Sequence, residues 1–278
     1  MSHSFKRRAQ ALCIGVAAVS IGASGLLIAT SGAASAGSRA TVPPLDHFIC
    51  YTASGQGFKV NPNLLLKNAI QPALFAPKVV SISTHCNPAN KSVPVAVFPA
   101  KNPLAHLLCW SIAFQYKPVK VLLTNQFGKS VMTTGPSPSR LCLPSWKSNV
   151  APPNMTPTAP PRLDHFTCYP LVAAASSYGF RPPAPLKVED EFSAPKYTPI
   201  KVGVANLLCV PTTKLVAGIA YSPMTPGDKS LVCFPSSPTP YWKVVFDENQ
   251  FGQGPVFPTP RLEQLCVPST LSVQSPVG

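Results

Sequence analysis

The spacing of apolar residues along the chain predicts strands and no long helices. Around Cys50 the pattern alternates with a period of two. Phe48 and Cys50 fall on one face, and His47, Ile49 and Tyr51 on the other. The same alternation sets Leu107 and Cys109 against His106, Leu108 and Trp110. Apolar residues on both faces predict that these cysteine strands are central ones. Val119–Thr124 and Lys243–Phe246 are further strand-like runs, each leading into an Asn-Gln-Phe-Gly turn. Gly128 and Gly252 suit a backbone with positive φ there. Short strands broken by Pro and Gly predict an all-β sandwich or barrel.

The pattern repeats. Four cysteines sit in an apolar stretch with an aromatic just after the sulfur: Cys50-Tyr51, Cys109-Trp110, Cys168-Tyr169 and Cys233-Phe234. Three of them have histidine three residues earlier (His47, His106, His165), and Ser230 stands there in the last. The other four, Cys86, Cys142, Cys209 and Cys266, have proline two residues later. Three of these also have lysine five residues later (Lys91, Lys147, Lys214), with Leu271 in the fourth place. Between the cysteines of a unit lies a third landmark. It is Asn125–Gly128 in the second unit and Asn249–Gly252 in the fourth, with Asp190–Ser193 in the third. In the first it has decayed, with Asn68–Gln71 as the nearest match. The units span 45–93, 105–148, 162–215 and 229–271.

The units pair off. Leu45-Asp-His-Phe48 opens one pair and Leu163-Asp-His-Phe166 the other. Asn149–Pro161, with its run of prolines, reads as a stiff linker. The expectation is therefore two tandem disulfide-stapled domains over 37–148 and 162–278, each a small barrel or sandwich of two units.

The chain opens with Lys6, Arg7 and Arg8, an uncharged apolar run over Ala11–Thr30 and a small-residue site at Ala34-Ser35-Ala36. That is the layout of a secretory signal peptide over residues 1–36. An uncleaved anchor is the alternative, and it is the one route to a membrane. Arg7-Arg8 hints at twin-arginine export, but the flanks fit that motif poorly. Cys13 lacks a lipid-attachment context. A hydrophobic share of 45% argues for a packed protein, and 35 prolines argue against long helices.

Eight cysteines remain after the leader, an even number in an exported chain, which reads as disulfides. No C-x-x-C pair supports zinc. Eight cysteines allow about a hundred connectivities. Repeat symmetry favours Cys50–Cys86, Cys109–Cys142, Cys168–Cys209 and Cys233–Cys266, and swapped pairing between sister units stays open.

The combined signature of DHFxCY start, N/DQFG centre and LCxPxxK close resembles a family of bacterial secreted repeat proteins of unknown function. The resemblance covers nearly all of the chain after the leader. It implies export and a cysteine-paired repeat. It carries no activity and no catalytic residues. The first unit's centre and the fourth unit's missing His and Lys depart from it.

Candidate chemistry is thin. The repeated histidines invite a metal reading, but one per unit predicts that they lie far apart, each beside an aromatic. Asp46 and Asp164 precede two of them with no nucleophile in view, so a turn-capping role is expected. Ser193-Ala-Pro-Lys196 matches S-x-x-K in form, but Pro195 spoils the helix that motif needs. Glu189-Asp190-Glu191 and Asp247-Glu248 lack the spacing of a calcium loop and read as solvated turns. His85 is the exception, because its sister positions hold Leu141, Leu208 and Leu265.

Losing the leader takes the formal charge from +14 to +11. Residues 37–150 hold eleven Lys and Arg against Asp46 alone, and residues 151–278 nine against eight. Basic residues are not clustered with aromatics as a nucleic-acid surface requires, and no cofactor is implied. The leading expectation is a secreted or cell-envelope protein, a non-enzymatic binding or structural module. Its basic first half would contact an anionic cell-wall polymer or polysaccharide. The alternative is a secreted hydrolase with an unrecognised site, marked by a pocket that breaks the repeat and contains His85 or the acidic turns.

Overall fold

The alternation around the cysteines places each sulfur on an inward face, and that face decides the architecture. The computed structural model describes residues 44–151, 162–173, 179–237 and 243–276. The leader and most of the Pro-rich linker lie outside them. The described residues form strands joined by turns and loops, with no helix.

In chain order the first unit holds β1 (His47–Gly55), β2 (Leu65–Asn68) and β3 (Lys78–Val93), followed by β4 (Ala96–Phe98). The second holds β5 (His106–Ala113), β6 (Val119–Asn125), β7 (Gly128–Thr134) and β8 (Arg140–Ser148). The third holds β9 (Phe166–Ala173), β10 (Leu186–Asp190), β11 (Thr198–Ile200) and β12 (Leu207–Val216), followed by β13 (Ile219–Tyr221). The fourth holds β14 (Lys229–Pro235), β15 (Val245–Asn249) and the long β16 (Gly252–Pro276).

The eight cysteine strands pair antiparallel in chain order: β1, β3, β5, β8, β9, β12, β14, β16. β16 then pairs back onto β1. The ring is closed, so no cysteine strand is left as an edge of the barrel. In every unit the two cysteines face each other in register: Cys50↔Cys86, Cys109↔Cys142, Cys168↔Cys209 and Cys233↔Cys266. All four pairs are disulfides, as repeat symmetry favours. They fill the lumen together with Phe48, Leu107, Phe166, Leu207 and Leu231. An eight-stranded barrel has room inside for little more than side chains.

The proline after each second cysteine has a place in this scheme. Pro88, Pro144, Pro211 and Pro268 face Phe48, Leu107, Phe166 and Leu231 in register, forming the layer beside the sulfurs. The β3–β5 ladder stops at Cys86↔Leu107, so Pro88 has no strand partner on that side and its missing N–H breaks no ladder there.

The outward faces of the same strands carry Ile49, Tyr51, Leu108, Trp110, Leu208 and Val210, all buried in a second core. What buries them is the segment between the two cysteines of each unit, which crosses over the barrel as an arm. β2 pairs with β12, β6 with β16, β10 with β3 and β15 with β8. Every arm pairs with a strand two units away, so every arm joins one half of the chain to the other. This overturns the expected division into two domains at 37–148 and 162–278. The described residues all belong to a single compact unit, and the two halves share one barrel, stitched at β8–β9, at β1–β16 and by four crossing arms. The repeat start and the prolines resembled a domain boundary because nothing local in the sequence says that the ring closes between units.

Among the described residues no helix is long and apolar enough to cross a membrane.

Residues 37–150 expressed alone will not fold. Their β1 and β8 would expose unpaired edges, and β3 and β8 would lose the arms that pair with them. Circular dichroism and gel filtration should show an unfolded or aggregated product, and folded monomer from either half would contradict the closed ring.

Candidate functional site

The landmarks that mark the repeat in sequence gather at one end of the barrel. The centre of each arm is an Asx turn. The backbone N–H groups of Ile70, Phe127, Phe192 and Phe251 donate to Oδ1 of Asn68, Asn125, Asp190 and Asn249, at 2.8–3.1 Å. Asn68–Gln71 is thus the first unit's centre, as its decayed sequence suggested. Gly128 and Gly252 have φ of 122° and 120°, the left-handed region expected of them.

The second, third and fourth turns each deliver a ring and a polar side chain to the preceding unit. Lys91 Nζ lies 5.2 Å from the centre of the Phe127 ring, Lys147 4.4 Å from Phe192 and Lys214 5.4 Å from Phe251. The Gln126 amide donates to His47 Nε2 at 2.6 Å and accepts from Lys91. Gln250 meets His165 in the same way. In the third turn Glu191 takes the Gln position, ion-paired with Lys147 and 3.7 Å from His106 Nε2. Three clusters of His, Lys, Gln or Glu, and Phe result. The fourth would be built from Ser230, Leu271, Ala69 and Ile70. Sequence departures that look unrelated therefore fall at the matching positions of one repeated cluster. Lysine gives way to leucine where its ring has become isoleucine, so the cation–π contact is kept or lost as a unit.

Burial governs the electrostatics. It lowers Lys91 to about 8 and Lys214 to about 7, and neither has a carboxylate partner among the described residues. Lys147 is lowered by burial too, with Glu191 opposing the shift. His47 and His165 fall to about 3, through burial first and the neighbouring lysine second. His106 is held well below its usual value by burial, then by Lys147 and His85. The neutral imidazoles are what lets the Gln amides donate to them. His47, His106 and His165 each sit in a cluster of their own, His47 and His165 beside the Phe98 and Tyr221 rings and His106 beside the His85 ring, at 6.0 Å in each case. No group of three or more His, Cys, Asp or Glu among the described residues is placed to hold a metal ion.

Asp46 and Asp164 cap turns, as expected. Asp46 accepts from the backbone N–H groups of Lys101 and Asn102 at 2.8 and 2.7 Å, and Asp164 from Met224 and Thr225 at 2.6 and 3.0 Å. Ser193 Oγ is committed to Asp190 Oδ1 at 3.0 Å, inside the third turn.

The middle cluster is elaborated. His85 Nδ1 lies 2.9 Å from Asp247 Oδ2, and its Nε2 lies 2.9 Å from Asn87 Oδ1. Asn87 Oδ1 also meets His106 Nδ1 at 3.0 Å and Lys147 Nζ at 3.3 Å, and its amide donates to Asp190 Oδ2 at 2.8 Å. Tyr51 donates to the same Asp190 oxygen at 3.0 Å. His85 and the acidic turns, three separate signals in the sequence, thus meet in one network. It is sealed. His85, Asn87 and Asp247 are 0% exposed and Asp190 4%, so the reading of both acidic segments as solvated turns is corrected for these two aspartates. Asn87 was missed, although it carries the same signal as His85: its sister positions hold Leu143, Val210 and Val267. Asp247 likewise stands where the other arms have Leu66, Leu123 and Val188. His85 and Asp247 are therefore a polar pair in place of an apolar one.

Two concavities open at this end, of about 350 and 980 Å³ with open solvent included. Both start at Pro44 and Leu45, and neither is lined by the network. No family model matches the chain, and no curated protein or solved structure matches it either.

His85→Leu should cost roughly 3–5 kcal/mol, because it leaves the Asp247 carboxylate buried and unpaired. His85→Leu with Asp247→Leu should recover most of that loss by restoring the apolar pair of the sister units. Denaturant unfolding measures both, and a double variant as unstable as the single would contradict the pair.

Stability should also rise with pH. A histidine with a folded value near 3 and an unfolded value near 6.5 contributes fully above pH 6.5 and loses that contribution as pH falls toward 3. Lys91 and Lys214 act in the same sense between about 7 and 10.5. Tyr116 and Tyr169, raised by burial above 10.0, contribute fully below pH 10 and lose it above. The melting temperature should therefore peak between about pH 8 and 10, and a peak at pH 6 or below would contradict the burial of these clusters.

Proposed function

We propose that the mature chain, exported and freed of residues 1–36, is a non-enzymatic binding module for anionic polymers of the cell envelope. One observation carries this reading: the His85–Asp247 pair is sealed in the core, and the exposed charge of the first half is one-sided. Lys59, Lys67, Lys78, Lys101, Lys117, Lys120 and Lys129 are exposed, and Asp46, the one acid of that half, is buried under its turn. Such a surface draws anions and raises their encounter rate. Four disulfides are typical of proteins from oxidising compartments, where these polymers are found.

The charge split between the halves needs a second explanation alongside this one. Asp190, Glu191 and Asp247 of the second half are bound to His85, Asn87 and Lys147 of the first. Part of the asymmetry is core complementarity. The anion-attracting surface is then a property of the whole barrel, and no half acts as a separate anchor.

A hydrolase would use the Asp247–His85 pair. Both ring nitrogens of His85 are already taken, by Asp247 and by Asn87, so a nucleophile has no nitrogen to bond.

Sedimentation of the full mature chain with isolated envelope should fall steeply as salt rises, because exposed charges are screened over about 8 Å at physiological ionic strength. Changing Lys59, Lys67, Lys117 and Lys120 to Glu should weaken it further. Retention indifferent to both would overturn the proposal.

A further inference from the structure

Two of the three intact clusters carry an extra ring that the repeat does not require. The hairpin strand β4 places Phe98 over Lys91, with Nζ 4.3 Å from the ring centre. The hairpin strand β13 places Tyr221 over Lys214, at 4.7 Å. Each aromatic lies seven residues after its lysine, in unlike surroundings: Val97-Phe98-Pro99 and Ala220-Tyr221-Ser222. Each ring centre is 6.0 Å from the neighbouring imidazole, His47 or His165. Phe98 is 38% exposed and Tyr221 41%. Beside them Gln126 and Gln250 are exposed as well. The same site thus occurs twice: a half-exposed ring, an exposed amide, a neutral imidazole and a lysine behind them. Among the described residues the middle cluster shows no such ring, and its lysine is neutralised by Glu191.

A cover for a buried lysine needs only apolar bulk. Both hairpins use an aromatic, and both leave it in contact with water. An aromatic face with an amide at its edge suits a sugar ring, whose axial C–H groups stack on the ring. The ring hydroxyls then bond an amide that still has an N–H and a lone pair to offer. A lysine without a carboxylate partner favours a sugar that carries negative charge. Two like sites on one rigid body suit a ligand that repeats, since binding at one raises the effective concentration at the other.

We propose that the Phe98 and Tyr221 sites are twin docking points for an acidic polysaccharide, one uronate ring stacking on each. This rests on the reading of the chain as a binder of anionic envelope polymers, and names its site and ligand class.

The test uses the full mature protein with immobilised polygalacturonate, free trigalacturonate, neutral dextran and phosphatidylglycerol vesicles. The expected order is polygalacturonate far above trigalacturonate, with dextran and vesicles not bound. Phe98→Leu or Tyr221→Leu keeps the apolar cover and removes the stacking face. Each should lower polymer binding roughly 100-fold, to the level of trigalacturonate, and the double variant should abolish it. Gln126→Ala with Gln250→Ala is the second pair, expected to act likewise should either leucine variant melt early. Polymer binding unchanged in the double variants would overturn the twin sites and leave the envelope reading standing. So would salt-sensitive sedimentation with envelope but no binding to polygalacturonate, or a preference for vesicles. Binding to neither envelope nor polymer would remove both.

Discussion

Everything in this fold hangs on four disulfides stacked in the lumen of one eight-stranded barrel. Each joins residues that already face each other in register, so the bridge and the strand pairing reinforce the same geometry. Each closes a loop of 33 to 41 residues and so stabilises by roughly 3–4 kcal/mol through the unfolded state. That contribution matters in a chain with 35 prolines and few long uninterrupted segments. Sulfurs of adjacent bridges lie 3.7 and 3.8 Å apart at Cys50···Cys266 and Cys142···Cys168. The lumen is thus filled by the bridges themselves, and the strands' other faces are left to bury the arms.

The arms explain why the repeat keeps the residues it keeps. An arm must end its crossing against another unit, and the Asx turn with its ring under a lysine fixes that landing. Where the ring is lost, the lysine is lost with it. Where one landing became polar, it did so as a set: His85, Asn87, Asp190, Glu191 and Asp247 replaced their sister residues together, and each bonds another of the set or the neighbouring Lys147. Asp247 changed alone would have been a buried charge without a partner, which is why the departures cluster in space while scattered in sequence.

Much of this was legible beforehand. The period of two around Cys50 and Cys109 set each sulfur on the face opposite its aromatic and pointed to central strands buried on both faces, because side-chain alternation is a local property. Repeat symmetry favoured the bridges that form, though it left swapped pairing between sister units open. The Asp46 and Asp164 caps followed from residue type and position. Two things were not legible. Closure of the ring depends on β16 meeting β1 across the whole chain, and no local pattern encodes that. A proline-rich stretch between two like openings looks the same whether it links two domains or spans one barrel. The partners of His85 were hidden for the same reason. Its departure from leucine was visible, and so was the acidity at Asp247, but only the crossing of the fourth arm over the barrel brings them within 2.9 Å.

The central claim is that residues from the two halves form one closed barrel. Nuclear Overhauser contacts between backbone protons measure it directly. The account predicts contacts between Ile49 and Leu265, between Cys142 and Phe166, and between Lys67 and Thr213, all across the middle of the chain. Contacts confined to 44–151 on one side and 162–276 on the other would show two separate domains and contradict it.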